Sequence, residues 1–173
     1  MIYYKHGNLL DAEEKYICHQ VNCMGAMNSG VAKQIRNKWP RVYENYCKKV
    51  ETNSDNPARM LGDIQIVPLY DDYEKDIYHK GVINLFSQYK YGYDGQRYTS
   101  YDAFFTCLQQ IKRSCAFGDF AFPYRIGSDR GGASWPVIEK MIETVFYDRN
   151  VYIYYLSEAD LSPEDRRKIE NDR

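Results

Sequence analysis

Ile17-Cys18-His19-Gln20-Val21-Asn22-Cys23-Met24-Gly25-Ala26-Met27-Asn28-Ser29-Gly30-Val31-Ala32 is the stretch on which the fold turns. It runs from an apolar strand through a loop of small residues into the first turn of a helix. Far downstream, Pro123-Tyr124-Arg125-Ile126-Gly127-Ser128-Asp129-Arg130-Gly131-Gly132-Ala133-Ser134-Trp135 repeats the pattern. Loops built from Gly and Ser let backbone N–H groups come close to a phosphate, and the helix N-terminus behind each adds a favourable dipole. Two such loops in one small α/β domain point to a ligand with two phosphates, or with a phosphate and a sugar.

Length and composition agree with a single soluble domain. The chain has 173 residues, 44% apolar and 27% charged, which is enough to bury a core. A net charge of −1 argues against bulk nucleic acid or an anionic membrane surface as partner. The five cysteines, Cys18, Cys23, Cys47, Cys107 and Cys115, are odd in number and contain no Cys-x-x-Cys pair. Neither a disulfide framework nor a zinc site is expected, and a reducing cytoplasm fits best. Cys18 and Cys107 sit in apolar patterns and read as buried thiols. The start Met1-Ile2-Tyr3-Tyr4-Lys5 has no basic segment followed by an apolar one, so no signal peptide is expected. The apolar runs are too short to span a bilayer. Tyrosine is abundant, at 18 residues; most of these rings belong to core and surface, while a few suit an aromatic pocket.

Strand and helix signals alternate along the chain. Strands are expected at Ile2 to Lys5, Lys15 to Val21, Ile64 to Leu69, Asp76 to Phe86, Asp119 to Ile126 and Val151 to Leu156. Helical spacing covers Ser29 to Trp39, with Asn28 or Ser29 as N-cap, then Arg41 to Val50, Ser100 to Phe117 and Trp135 to Arg149. Glu51 to Ala58 reads as a loop, Asp71 to Lys75 as a charged turn, and the Tyr/Gly-rich Ser87 to Tyr98 as a functional loop. Ser162-Pro163-Glu164-Asp165 has the form of a helix start. The tail 158–173 is therefore either a short charged helix or disordered, beyond a domain spanning 1–157. The alternation argues for an α/β sandwich with a partly parallel sheet, whose ligands bind at the carboxyl ends of the strands.

With these elements in place, the chain resembles a macro domain. The resemblance covers residues 1 to 157 and rests on Gly7-Asn8-Leu9-Leu10, on Asn22 to Ala32, on Asn84-Leu85-Phe86-Ser87-Gln88, and on Ile126 through Gly132 to Trp135. It implies a three-layer α/β/α sandwich with a mixed central sheet that binds ADP-ribose, free or on a macromolecule, without a cofactor or metal. Asn8, with Leu9 beside it, stands where the family places an acidic residue on the adenine amine; an Asn oxygen still accepts but lacks the charge. Asn22 matches the distal-ribose contact. Asn28-Ser29-Gly30-Val31 matches the first glycine-rich turn, and Gly127, Ser128, Asp129, Arg130, Gly131, Gly132 and Ala133 match the diphosphate loop. Phe86 and Tyr89 are placed to flank the distal ribose.

The segment Ile17 to Gly25 is similar to the yeast-type ADP-ribose-1″-phosphate phosphatases, in which a His at the position of His19 is implicated in catalysis. The same branch holds hydrolases that remove ADP-ribose from glutamate or from thymidine in DNA. These use a lysine where this chain has Gln88, and the glutamate-directed ones use an aspartate that aligns with Gly131. Lys90 and Asp129 lie two residues from those positions in the chain and leave a shifted arrangement open. A His titrating near neutrality suits acid–base work, with Asp129 as the group to orient water and Asn22, Gly30 and Arg130 as donors. The reading is thus an ADP-ribose-1″-phosphate phosphatase, with a non-catalytic reader and an atypical ADP-ribosyl hydrolase as alternatives. His6 and His79 read as surface or strand-packing residues, and Trp39 and Trp135 as packing residues.

Overall fold

The computed structural model describes residues 1–72 and 77–171. The strands are β1 (Ile2–His6), β2 (Tyr16–Asn22), β3 (Ile64–Asp72), β4 (Ile77–Gln88), β5 (Phe120–Pro123) and β6 (Val151–Tyr155). The helices are α1 (Gly30–Lys38), α2 (Pro40–Thr52), α3 (Tyr101–Ser114), α4 (Trp135–Val145) and α5 (Pro163–Asn171). The strands form one mixed sheet in the order β1-β6-β5-β2-β4-β3. All neighbours run parallel except β3 and β4, which are antiparallel.

Alternation along the central strands builds the three layers. On β2, Tyr16 and Cys18 face one side, with Ile83 and Leu85 of β4, against Phe104, Leu108 and Ile111 of α3 and Ile138 and Ile142 of α4. Ile17 and Val82 face the other side, against Ile35 of α1 and Val42 of α2. Further along that second face, Val21, Met27, Tyr46, Met60 and Phe86 form a separate cluster under the first loop. Full burial of side chains such as Tyr46, Phe86, Phe104 and Phe122 contributes about 1.5–3 kcal/mol each. Cys18 and Cys107 are fully buried, as their patterns imply. Trp135 opens α4, buried and edge-on to Tyr124 at 5.2 Å, and the half-buried Trp39 ends α1.

Several boundaries differ from the sequence reading, for local reasons. The strand expected through Ile126 stops at Pro123. Turn bonds from Ile126 N–H to Pro123 O and from Ser128 N–H to Arg125 O take over. Arg125 adopts φ +60°, a left-handed conformation costing about 1–2 kcal/mol for a side chain with a Cβ. The helix expected to Phe117 ends at Ser114, and the one expected to Arg149 ends at Val145. Asn56-Pro57 starts a 3₁₀ turn, Pro57–Met60, at the end of the expected loop and running beyond it. β3 continues to Asp72, and the rest of the expected charged turn, 73–75, lies outside the described residues, as does the side chain of His79. Of the two readings of the tail, the structure shows the helix. The Ser162 hydroxyl accepts from Asp165 N–H at 3.1 Å and donates to the Asp165 carboxylate at 2.7 Å. Tyr124 OH donates to that carboxylate, and Lys168 pairs with Glu139 of α4 at 2.7 Å. No helix among the described residues is long and apolar enough to cross a membrane.

Candidate functional site

A cavity of about 320 Å³ opens at the carboxyl ends of β2, β4 and β5, within the size range of small-molecule sites. Three loops enclose it: the first loop with the start of α1, the second loop after β5, and the tyrosine-rich loop after β4. Asn22, Asn28, Ser29, Gly30 and Val31 line one wall; Gly127, Asp129, Arg130 and Gly131 line the opposite one; His19 and Gln88 come from the strands between. Both small-residue loops read from the sequence therefore face one cleft.

The first loop is shaped by Asn22. Its Oδ1 accepts from Met24 N–H and Ala26 N–H, and its Nδ2 donates to Ala26 O at 2.8 Å. Tyr46 OH reaches up from α2 to Asn22 O and Oδ1, at 2.8 and 2.9 Å. Asn22 thus spends most of its hydrogen-bonding capacity on the loop, and one amide N–H remains. Ser29 occupies the N-cap position of α1 without a side-chain bond, so the first-turn N–H groups stay open to an anion. Gly30 sits at φ +57° with nothing within 4 Å of where a Cβ would be, which leaves room for a ligand against the backbone.

The second loop is braced from below. Gln20 Nε2 donates to Gln88 Oε1 at 2.7 Å and to Thr99 Oγ1 at 2.9 Å; Ser87 donates to Gln20 Oε1; Thr99 donates to Gly127 O. Tyr98 and Thr99 N–H both bond Gly131 O. A Cβ on Gly131 would lie 2.2 Å from Thr99 Oγ1, so this position admits no side chain. Gln88 is likewise committed to the brace. Over the mouth, Arg130 Nη1 bonds Tyr93 OH and its guanidinium lies 4.5 Å from that ring.

His19 lies at the cleft floor, 1% exposed. Its Nε2 is 2.5 Å from Asn84 Oδ1, and its Nδ1 is buried without a partner. Burial pushes its pKa down to about 4, against the pull of the Asn84 hydrogen bond. The sequence reading placed its titration near neutrality; the structure corrects this, because the ring is buried and, among the described residues, no carboxylate accompanies it.

Other expected ligand residues lie outside the cleft lining. Asn8 is exposed and its side chain accepts from Leu10 N–H at 3.0 Å. Leu9 is buried in the core beneath α1 and α2. Phe86 is fully buried against Tyr46, and Tyr89 packs on the same cluster; neither lines the cavity. Ser128 Oγ points to Ile126 O, Gly132 N–H to Asp129 O, and Ala133 N–H to Gly127 O. Lys90 is exposed beyond the lining, whereas Tyr91 and Tyr93 of the same loop belong to it, as do Gln20, Tyr124 and Arg125. The expected functional loop Ser87 to Tyr98 contains the first pair without singling them out; Gln20 could have been found by its period-two spacing from Asn22. Among the described residues no group of three or more His, Cys, Asp or Glu is placed to hold a metal ion.

No family model matches the chain. An uncharacterized 17.5 kDa protein of Enterobacteria phage T4 is 30% identical over 143 residues, 78% of this chain and 82% of the phage protein. A DNA ADP-ribosyl glycohydrolase of Mycobacterium tuberculosis is 28% identical over 84% of this chain, which spans only 39% of that protein's length. An ADP-ribose 1″-phosphate phosphatase of Debaryomyces hansenii is 32% identical over 50 residues, 29% of this chain. The macrodomain of Mycobacterium tuberculosis DarG superposes with a TM-score of 0.71 at 23% identity, covering 91% of this chain and 99% of that one. Thermosipho africanus DarTG in complex with ADP-ribose gives 0.74 at 15% identity over 95% of this chain and 44% of its own. The chain therefore belongs to one family with the phage T4 protein, and its fold is that of a macrodomain.

Proposed function

We propose that the cleft binds ADP-ribose and hydrolyses the phosphomonoester of ADP-ribose 1″-phosphate. The observation that carries the reaction is the unpartnered, buried Nδ1 of His19 in a ring that lines the cleft. In the free protein Nδ1 is closed to solvent, so substrate binding has to open the floor and seat one water against it; the neutral nitrogen then accepts a proton from that water. The oxygen of that water attacks phosphorus, the bond from phosphorus to the anomeric oxygen breaks, and solvent protonates the departing oxygen. The dianionic substrate raises the proton affinity of the low-pKa ring as the water is deprotonated. The α1 N-terminus and the second-loop backbone hold the diphosphate, Arg130 supplies charge at the mouth, and Asp129 orients the water.

Two features support this chemistry over the lysine-based one. Gln88 occupies the lysine position and is tied to Gln20. Gly131 occupies the aspartate position and has no space for a side chain. A second reading, removal of ADP-ribose from DNA, is favoured by the mycobacterial relative, whose similarity covers 84% of this chain. Phosphate release from ADP-ribose 1″-phosphate, beside release of ADP-ribose from a modified oligonucleotide, tests both. The expected result is phosphate release that falls about 10²-fold or more in His19→Gln, with ADP-ribose binding by calorimetry retained. Phosphate release at background, or release indifferent to His19, overturns the phosphatase reading.

A further inference from the structure

His19 is the first member of a polar row that crosses three strands beneath the cleft. His19 and Asn84 are register partners on β2 and β4, and Asn84 and Gln65 are register partners on β4 and β3. His19 Nε2 meets Asn84 Oδ1 at 2.5 Å, Asn84 Nδ2 meets Gln65 Oε1 at 3.0 Å, and Gln65 Nε2 meets Asn45 O of α2 at 2.9 Å. The order of donors along this row has only one solution. A backbone carbonyl can only accept, so Gln65 turns its NH₂ toward Asn45 and its oxygen toward Asn84. Asn84 must then give its NH₂ to Gln65 and its oxygen to His19. That oxygen also only accepts, so the proton of the neutral imidazole sits on Nε2.

We infer that Asn84 and Gln65 are positioning residues that hold His19 in its Nε2–H form, so that Nδ1 is a bare lone pair that accepts a proton and cannot donate one. Any group brought against Nδ1 has to donate to it: a hydroxyl or a water fits, and an unprotonated phosphoryl oxygen does not. The inference deepens the proposed reaction, since a bare Nδ1 is what a water-activating base requires, but the tautomer stands on the hydrogen-bond row alone. His19 and Asn84 are both buried, at 1% and 0% exposure, so water does not offer either group an alternative partner.

The test is a long-range ¹⁵N–¹H correlation spectrum of the full chain labelled at histidine, which reads which ring nitrogen carries the proton. The expected spectrum at neutral pH shows His19 protonated at Nε2 and bare at Nδ1; a ring protonated at Nδ1 overturns the inference. Two variants separate positioning from mere structure. Gln65→Leu frees the Asn84 amide to flip, and a mixture of His19 tautomers is expected. Asn84→Asp places a carboxylate against Nε2, and a doubly protonated ring at neutral pH is expected. If both variants keep the wild-type ring state, the row does not set the tautomer and the inference fails. With ADP-ribose 1″-phosphate, Gln65→Leu is expected to lower kcat about 10-fold or more with KM little changed, by analogy with lost outer partners of functional histidines. An inactive wild-type protein with the expected spectrum would sink the phosphatase reading and leave the tautomer intact.

Discussion

Acidification is expected to weaken the fold through His19, and the size of the effect follows from its burial. In the folded protein the ring resists protonation down to about pH 4, whereas in the unfolded chain it takes a proton near 6.5. A group whose pKa is lowered by folding contributes stability that is fully present above its unfolded pKa. That stability is lost as pH falls toward the folded value. A drop from 6.5 to about 4 corresponds to about 3 kcal/mol in full, with about 2 kcal/mol already gone at pH 5. The carboxylates also titrate in this range, so the comparison needs a partner in which only His19 is silent. Urea unfolding of wild type and His19→Gln at half-unit steps from pH 7.5 to 4.5 supplies it. The stability difference between the two should shift against wild type by about 2 kcal/mol between pH 7 and 5, at a slope approaching 1.4 kcal/mol per unit. A difference constant to within about 0.5 kcal/mol over that range would refute the reasoning. It would mean that water reaches the ring or that the floor opens on protonation.

Two further perturbations act on the walls of the cleft. Gly131→Ala forces a Cβ to within 2.2 Å of Thr99 Oγ1 and 2.4 Å of Gly127 O; about 1–3 kcal/mol of stability should be lost in urea, and ADP-ribose binding by calorimetry should weaken at least tenfold as the second loop is pushed off its brace. Tyr46→Phe removes the hydroxyl that ties α2 to Asn22; about 1 kcal/mol of stability should go, and ADP-ribose should bind more weakly because the first loop loses its anchor.

Much of the fold was legible because its signals are local. Apolar runs marked every strand, helical spacing marked the helices, and Ser162-Pro163 marked the start of the last one. The boundaries that failed are those where a turn outcompeted a pattern. Tyr124 to Ile126 continues an apolar-looking strand, yet the left-handed Arg125 turns the chain toward the cleft. For the site, the two small-residue loops stood out in the sequence, since a lack of side-chain bulk is itself a local property, and the structure brings both to one cleft. Asn8 and Phe86, expected at the ligand, lie outside the cavity lining, and what occupies such a side chain depends on what else offers it a partner. Asn8 finds Leu10 N–H, and Phe86 finds Tyr46.

Sequence alone determined that strands and helices alternate, that two glycine- and serine-rich loops leave strand ends, and that a histidine stands in the strand before the first of them. Each of these follows from residue type and spacing within one segment. Tertiary structure decided what the histidine is. Asn84, Gln65 and Asn45 come from other parts of the chain and line up behind His19 only because β2, β4, β3 and α2 pack in this order. The dryness that lowers its pKa and the row that directs its proton are properties of that packing, and no single segment encodes them.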